Sequence, residues 1–206
     1  MNAVLGLLLL AQLNSFEFSA VSSPQAVGDS FQVTVVARDS GGGIYPFNGS
    51  ALLSTSKDDF WTYVYPSLVT FQNGTWQGNV VITLADTLNL KCTEPQNLVT
   101  GESDTFEVIT GAPDRLLVIL PGEELAPGSP EGRLPNPPSS QIAGQEFDAA
   151  VYVTDGWHNV VTTREDSVYL AATDSFAGVP PPGRLSAGMG TFPFTFRRAG
   201  GHNVIA

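Results

Sequence analysis

Cysteine is almost missing from this 206-residue chain: Cys92 stands alone, so no intramolecular disulfide and no cysteine metal cluster can form. It sits in the alternating run Leu88-Asn89-Leu90-Lys91-Cys92, the setting of a small buried hydrophobe rather than of an activated nucleophile. Histidine is also scarce, with only His158 and His202. A hydrolytic centre needs a nucleophile, a base and a group that orients the base. The chain has no G-x-S-x-G elbow, Walker loop, H-E-x-x-H or EF-hand pattern, and Asp86-Thr87 lacks the glycine of an aspartic-protease motif. No enzyme activity is expected, and no catalytic residue, metal ligand or cofactor is assigned. Basic residues are few, 9 against 20 acidic ones, for a net charge of −11. That balance excludes nucleic acid and anionic membrane as partners, since both require a Lys/Arg surface.

Long hydrophobic runs are lacking as well. The one apolar run, Met1 to Ala11, has the length of a signal-peptide h-region and is too short to span a bilayer. No Lys or Arg precedes it. Two readings follow: residues 1–11 are a cleaved leader of a secreted or cell-surface protein, with no membrane insertion of the mature chain, or they are a buried strand or a loose terminus.

What the chain does have is turn chemistry and a repeat. Gly (21) and Pro (15) are plentiful while charged residues make up only 14%, the balance of an all-β protein with many loops. Gly28, Phe31, Val35 and Asp39 of GDSFQVTVVARD match Gly144, Phe147, Val151 and Asp155 of GQEFDAAVYVTD at a spacing of 116. Gly74-Thr75-Trp76 matches Gly190-Thr191-Phe192 at the same spacing, and Asn89 matches Asn203 after a two-residue deletion. The length holds two modules of about 100 residues, each able to bury its own core. The expected boundaries are 1–11 for the leader, 12–111 for the first module and 112–206 for the second.

Period-2 alternation places Phe31, Val33, Val35 and Ala37 on one face, and Phe147, Ala149, Val151 and Val153 repeat the pattern. Strands are expected at 14–22, 31–38, 50–54, 60–65, 68–71, 76–84, 88–92 and 105–109. Asn73-Gly74 reads as a hairpin turn and Asn48-Gly49 as a second turn of like chemistry, although both also fit the glycosylation pattern. Thr110 to Pro113 reads as a short linker that limits swing. The Pro/Gly-rich excursion from Pro121 to Ser140 is either a packed loop or a mobile flap. No counterpart of Thr105–Ile109 follows Ala206, so the second sandwich is expected to lack its last strand, leaving an open edge, in a piece of a longer protein.

The segments FEFSAVSSPQAVGDSFQVTVVARD (Phe16 to Asp39) and FQNGTWQGNVVI (Phe71 to Ile82) resemble a bacterial immunoglobulin-like repeat of large secreted and cell-surface proteins. LLVILPGEELAPGSPEG with the later AGQEF looks like a variant that follows it in such arrays. Val27 stands where the repeat has Ala, and the stretch from Asp58 to Tyr65 is more aromatic than its usual polar loop. The resemblance implies two tandem immunoglobulin-like β-sandwiches serving as a stalk, spacer or adhesive segment. Its partners would be neighbouring modules of the same parent chain, and a cell-surface protein or glycan.

Two groups of side chains are candidates for binding. Carboxylates at strand ends (Asp39, Asp58, Asp59, Asp155, Glu165, Asp166, Asp174) could hold calcium, but Asp39 and Asp155, at one repeat position, read as turn caps. In Phe60-Trp61-Thr62-Tyr63-Val64-Tyr65, strand alternation would put Trp61, Tyr63 and Tyr65 on one face beside Asp58 and Asp59. If Phe60 and Val64 are core, that row could stack on sugar rings, as in an accessory carbohydrate-binding module of a secreted glycan-active enzyme. If the faces are reversed, the rings are ordinary core.

Overall fold

The structure, a computed structural model, describes residues 12–206, so the candidate leader at 1–11 lies outside the described residues. They are all-β, with no helix. Eleven strands fill the first repeat: β1 (Leu13–Phe18), β2 (Gln25–Ala26), β3 (Ser30–Asp39), β4 (Ser50–Thr55), β5 (Val64–Tyr65), β6 (Leu68–Thr70), β7 (Thr75–Ile82), β8 (Thr87–Leu88), β9 (Leu90–Glu94), β10 (Val99–Glu102) and β11 (Phe106–Ile109). Seven follow: β12 (Arg115–Ile119), β13 (Glu146–Thr154), β14 (Ser167–Val168), β15 (Ala171–Ala172), β16 (Gly183–Arg184), β17 (Met189–Thr195) and β18 (Val204–Ile205). They gather into two compact units. One holds the described residues up to Gln25 with Asp29–Ile82 and Thr87–Glu107; the other holds Ala26–Gly28, Thr83–Asp86 and Val108–Ala206.

In the first unit the sheet orders β1-β3-β7-β5 and β10-β9-β4-β6 correspond to the ABED and GFC sheets of an immunoglobulin-like sandwich. Neighbouring strands in both sheets run antiparallel. The alternation of β3 is realised as expected: Val33, Val35 and Ala37 are fully buried while the residues between them are part-exposed. Each buried valine contributes about 1.5–3 kcal/mol. Leu53, Leu90 and Cys92 are buried from the other sheet, and Phe16, Phe47 and Phe71 form an aromatic cluster with centroids 5.1–6.0 Å apart. Gly101 of β10 passes so close to the backbone of Phe16 that a Cβ there would collide with it.

The second unit repeats the frame in abridged form. β12, β13 and β17 make one sheet, and β14-β16 and β15-β18 are two short pairs. Phe147, Ala149, Val151 and Val153 of β13 are buried with Val161, Val168, Leu185, Phe192 and Phe194. Within the Pro/Gly-rich excursion, Leu125 bridges Arg133, and Ala126 and Ser129 are buried. The Glu123 carboxylate accepts from the Leu120 N–H (2.8 Å) and from Arg133 (2.7 Å), and the Ser129 carbonyl meets His158 Nδ1 at 3.1 Å. Residues 121–134 are thus a packed loop.

The structure corrects the register of the repeat. Asp39 and Asp155 match at 116, and so do the bridges Arg38–Ile44 and Thr154–Val160. Past the following loop, however, the matching spacing is 114: Val35 pairs with Trp76 while Val151 pairs with Gly190, and the hairpin Asn73-Gly74 (φ 50° and 83°) recurs as Ala187-Gly188 (φ 49° and 71°). Gly74-Thr75-Trp76 is therefore equivalent to Gly188-Met189-Gly190, not to Gly190-Thr191-Phe192. The two-residue deletion lies before this hairpin, and Asn89 and Asn203 keep their match at 114: each exchanges hydrogen bonds, through its own backbone, with the residue just past a strand, Ser56 after β4 and Thr173 after β15. Asn48-Gly49 is not a turn of the Asn73-Gly74 kind. The Asn48 side chain instead accepts the Asn73 N–H at 2.9 Å and donates to the Pro46 carbonyl at 3.1 Å, bracing the true hairpin from outside.

Candidate functional site

The segment carrying Asp58, Asp59, Trp61, Tyr63 and Tyr65 forms a turn; only Val64–Tyr65 is strand. The two carboxylates explain why. Asp58 Oδ1 accepts from Thr55 Oγ1 (2.6 Å) and from the Tyr63 N–H (3.3 Å), and Asp59 Oδ1 accepts from the Trp61 N–H (3.1 Å) and the Tyr63 hydroxyl (3.3 Å). Local side-chain acceptors of this kind offer the backbone an alternative to a ladder. Period-2 alternation therefore does not apply from Phe60 to Tyr63.

The rings accordingly do not form one row. Tyr63 is buried, and burial together with the Asp59 and Asp58 carboxylates pushes its phenol up to about 12. Trp61 is half-buried, with its indole N–H enclosed and unpartnered. Tyr65 is exposed, and Phe60, assigned by alternation to the opposite face, is 68% exposed and meets Trp61 edge-on at 5.1 Å. The surface on offer is thus Phe60, one side of Trp61 and Tyr65, while the inner oxygens of Asp58 and Asp59 are engaged by their own loop.

The other marked residues hold backbone. Asp39 Oδ1 accepts the N–H groups of Gly41 and Gly43, both at 2.9 Å, and Asp155 Oδ1 accepts those of Trp157 and Asn159 at the same distance. The turn-capping geometry is the same at both repeat positions. In the second unit the cap extends further. Asp155 Oδ2 accepts the Gly111 N–H (3.0 Å), and the buried Asn159 amide donates to the Thr83 carbonyl (2.8 Å) and accepts the Ala85 N–H (2.9 Å). Asn159 stands where the first repeat has Gly43, a difference the sequence displays but whose hydrogen bonds it does not.

Asp174 Oδ1 accepts the Phe176 N–H and its Oδ2 those of Arg197 and Arg198, which holds its carboxyl below the usual range. Glu165 pairs with Arg184 and Asp166 with Arg164. Glu94, not singled out by sequence, is buried and accepts the N–H groups of Gln96 and Asn97, which lower its pKa. His202 Nε2 lies 3.1 Å from the Arg198 carbonyl. Burial pushes the Cys92 thiol up to about 12. Among the described residues, no three His, Cys, Asp or Glu side chains are grouped to hold a metal ion.

No family model matches the chain, and no curated protein matches it. Solved structures do. Domains 5–6 of the S-layer protein SbsC are 14% identical, with 91% of this chain and 85% of that one covered at a TM-score of 0.34. The Escherichia coli adhesin FdeC is 16% identical, with 94% of this chain and 59% of that one covered at a TM-score of 0.41. SbsC domains 4 and 5 are 15% identical at a TM-score of 0.33; the match covers 48% of this chain and about half, 53%, of theirs.

Proposed function

We propose that the chain is a non-enzymatic structural or adhesive segment of a bacterial secreted or cell-surface protein, made of two immunoglobulin-like modules at 12–111 and 112–206. The observation that carries this reading is the same Asp-capped strand frame built twice, with Tyr45 N–H donating to Ala37 O and Val161 N–H to Val153 O at one spacing. The groups that chemistry would need are engaged in holding that frame: Cys92 in the core, His158 on the Ser129 carbonyl, Asp39 and Asp155 in turns. Two tests apply. Antibodies raised against the chain should label intact cells of the source organism or its culture medium; label appearing only after lysis sinks the surface assignment. Single-molecule stretching should give two unfolding events per chain, each releasing on the order of 300 Å at about 3.3–3.6 Å per residue. One event would refute the two-module division.

A second reading, an accessory carbohydrate-binding module, is favoured by the exposed Phe60 lying edge-on to Trp61. Retention on insoluble polysaccharide that is lost in Phe60→Ala and Trp61→Ala would establish it; no retention of the wild-type chain removes it.

A further inference from the structure

The second unit carries a proline ridge beside its edge strand β16. Thr70 pairs with Ser50 in the first unit and Arg184 with Ser167 in the second, so at the spacing of 114 Pro66-Ser67-Leu68 corresponds to Pro180-Pro181-Pro182. All three prolyl bonds of the second unit's triplet are trans. Proline holds φ near −65°, and Val179, Pro180 and Pro181 each precede a proline, which keeps them out of the helical region. The triplet is therefore one turn of polyproline II helix, about 9 Å long. Hydrogen bonds fix both ends: Gly178 and Thr195 exchange two, at 2.8 and 3.0 Å, and Leu185 N–H donates to Asp166 O at 2.9 Å.

Between those anchors the ridge stands clear of the sheet. In the first unit the Ser67 carbonyl accepts the Leu53 N–H at 2.8 Å. The Pro181 carbonyl, in its place, and those of Val179, Pro180 and Pro182 accept nothing among the described residues. Val179, Pro181 and Pro182 are exposed. One step beyond the Val168–Gly183 pair come Tyr169 and Pro182, in the places of the exposed Leu52–Leu68 pair, and Tyr169 is 75% exposed. Edge protection does not account for three prolines: one suffices to stop a foreign strand from adding, and the first unit has only Pro66 here. β14 and β15 together hold the place of β4, with β16 on one side as β6 is and β18 on the other as β9 is. The ridge thus borders the edge away from β18.

We propose that Val179–Pro182, with Tyr169 beside it, is a docking ridge for a partner protein whose surface carries a groove lined by aromatic rings. The chemistry selects that occupant. The prolines offer flat apolar faces and carbonyl acceptors but no N–H, so the partner supplies ring faces and donors, as tryptophan and tyrosine do, and cannot dock by adding a strand. Because both ends are tied down, little ordering entropy is lost on docking. Arg184, at the C-terminal end of the ridge and held by an exposed pair with Glu165, fixes the direction in which an acidic group on the partner can read it.

The probes are a panel of isolated SH3 and WW domains, whose proline-binding grooves are aromatic, titrated one at a time into the whole isotope-labelled chain and followed by amide NMR. The expected result is saturable binding by at least one domain, with shifts at Tyr169, Val179, Gly183 and Arg184. Alanine in place of the probe's groove tryptophan, or Pro181→Ala together with Pro182→Ala in the chain, should weaken binding at least fivefold while the chain's melting temperature is unchanged. No saturable binding by any domain at millimolar concentration, or binding that survives the double substitution, overturns the proposal. Self-association of the chain with shifts at the same amides would assign the ridge to a second copy and also overturn it.

Discussion

Asp155 and Asn159 are bonded to each other twice over: Asp155 Oδ1 accepts the Asn159 backbone N–H at 2.9 Å, and the Asn159 amide reaches back to the same carboxylate at 3.1–3.2 Å. Both are buried, so each hydrogen bond is made out of competition with water. Asp155→Ala should lower the stability of the second unit by about 2–4 kcal/mol, because the N–H groups of Gly111, Trp157 and Asn159 lose their acceptor. Asn159→Gly, which restores the residue of the first repeat, should cost only about 1–2 kcal/mol, since the backbone N–H groups keep the Asp155 cap and only the side-chain amide's bonds to Thr83, Ala85 and the Asp155 carboxylate go. Urea unfolding of the two variants ranks them; equal losses would contradict the scheme.

The Ala187-Gly188 hairpin carries a strain that its counterpart avoids. Ala187 sits at φ 49°, where Asn73 occupies the equivalent position. A left-handed conformation costs an L-residue roughly 1–2 kcal/mol, less for Asn and nothing for Gly. Ala187→Gly or Ala187→Asn should therefore raise stability by about 0.5–1 kcal/mol, and Gly74→Ala should lower it by more, because its Cβ would also strike the Tyr45 carbonyl. Thermal or chemical melts of the three variants check both signs.

Cys92 should be silent to thiol reagents in the native state. The thiol is fully buried and its pKa is pushed up to about 12 by desolvation, so thiolate is scarce at neutral pH. Labelling with a maleimide should proceed at the rate at which the first unit opens, accelerate with urea, and show the same midpoint as loss of its fluorescence signal. Rapid labelling without denaturant would place Cys92 outside the core.

Acid should loosen the segment around Arg197 and Arg198. The Asp174 carboxyl is held below its ordinary value mainly by the Phe176 N–H, with those of Arg197 and Arg198 adding to it. A carboxyl with a depressed folded pKa contributes stability that is present above its unfolded value, about 3.9, and is lost as pH falls through the folded one. Exchange protection of the Arg197 and Arg198 amides, corrected for intrinsic rates, should persist from pH 7 to about pH 4 and decline below it. In Asp174→Asn the protection should be weaker at neutral pH and flat across that window.

Much of the frame was legible because it depends on patterns that one residue type enforces. The alternation of β3 and β13, the Asn73-Gly74 turn and the Asp39 and Asp155 caps follow directly from side-chain period and turn chemistry. The binding row was not legible, because Asp58 and Asp59 draw the backbone from Phe60 to Tyr63 into a turn, where alternation has no meaning. The repeat register failed for a different reason. Both G-T-aromatic triplets look alike, and a slip of two along a strand keeps every side chain on its face, so pattern alone could not separate 114 from 116. The two-residue strand β2 and the polar β10 lie below the length at which alternation can be seen.

The sealed thiol of Cys92 has one more consequence. Sandwiches stapled between their sheets by a disulfide owe part of their stability to the oxidant around them and surrender it to a reductant. Here the position facing the opposite sheet is a lone, inaccessible sulfur, and cohesion comes from valine, leucine and phenylalanine. The first unit should show the same melting curve in glutathione as in air, and it needs no oxidative folding catalyst on its way to wherever it serves.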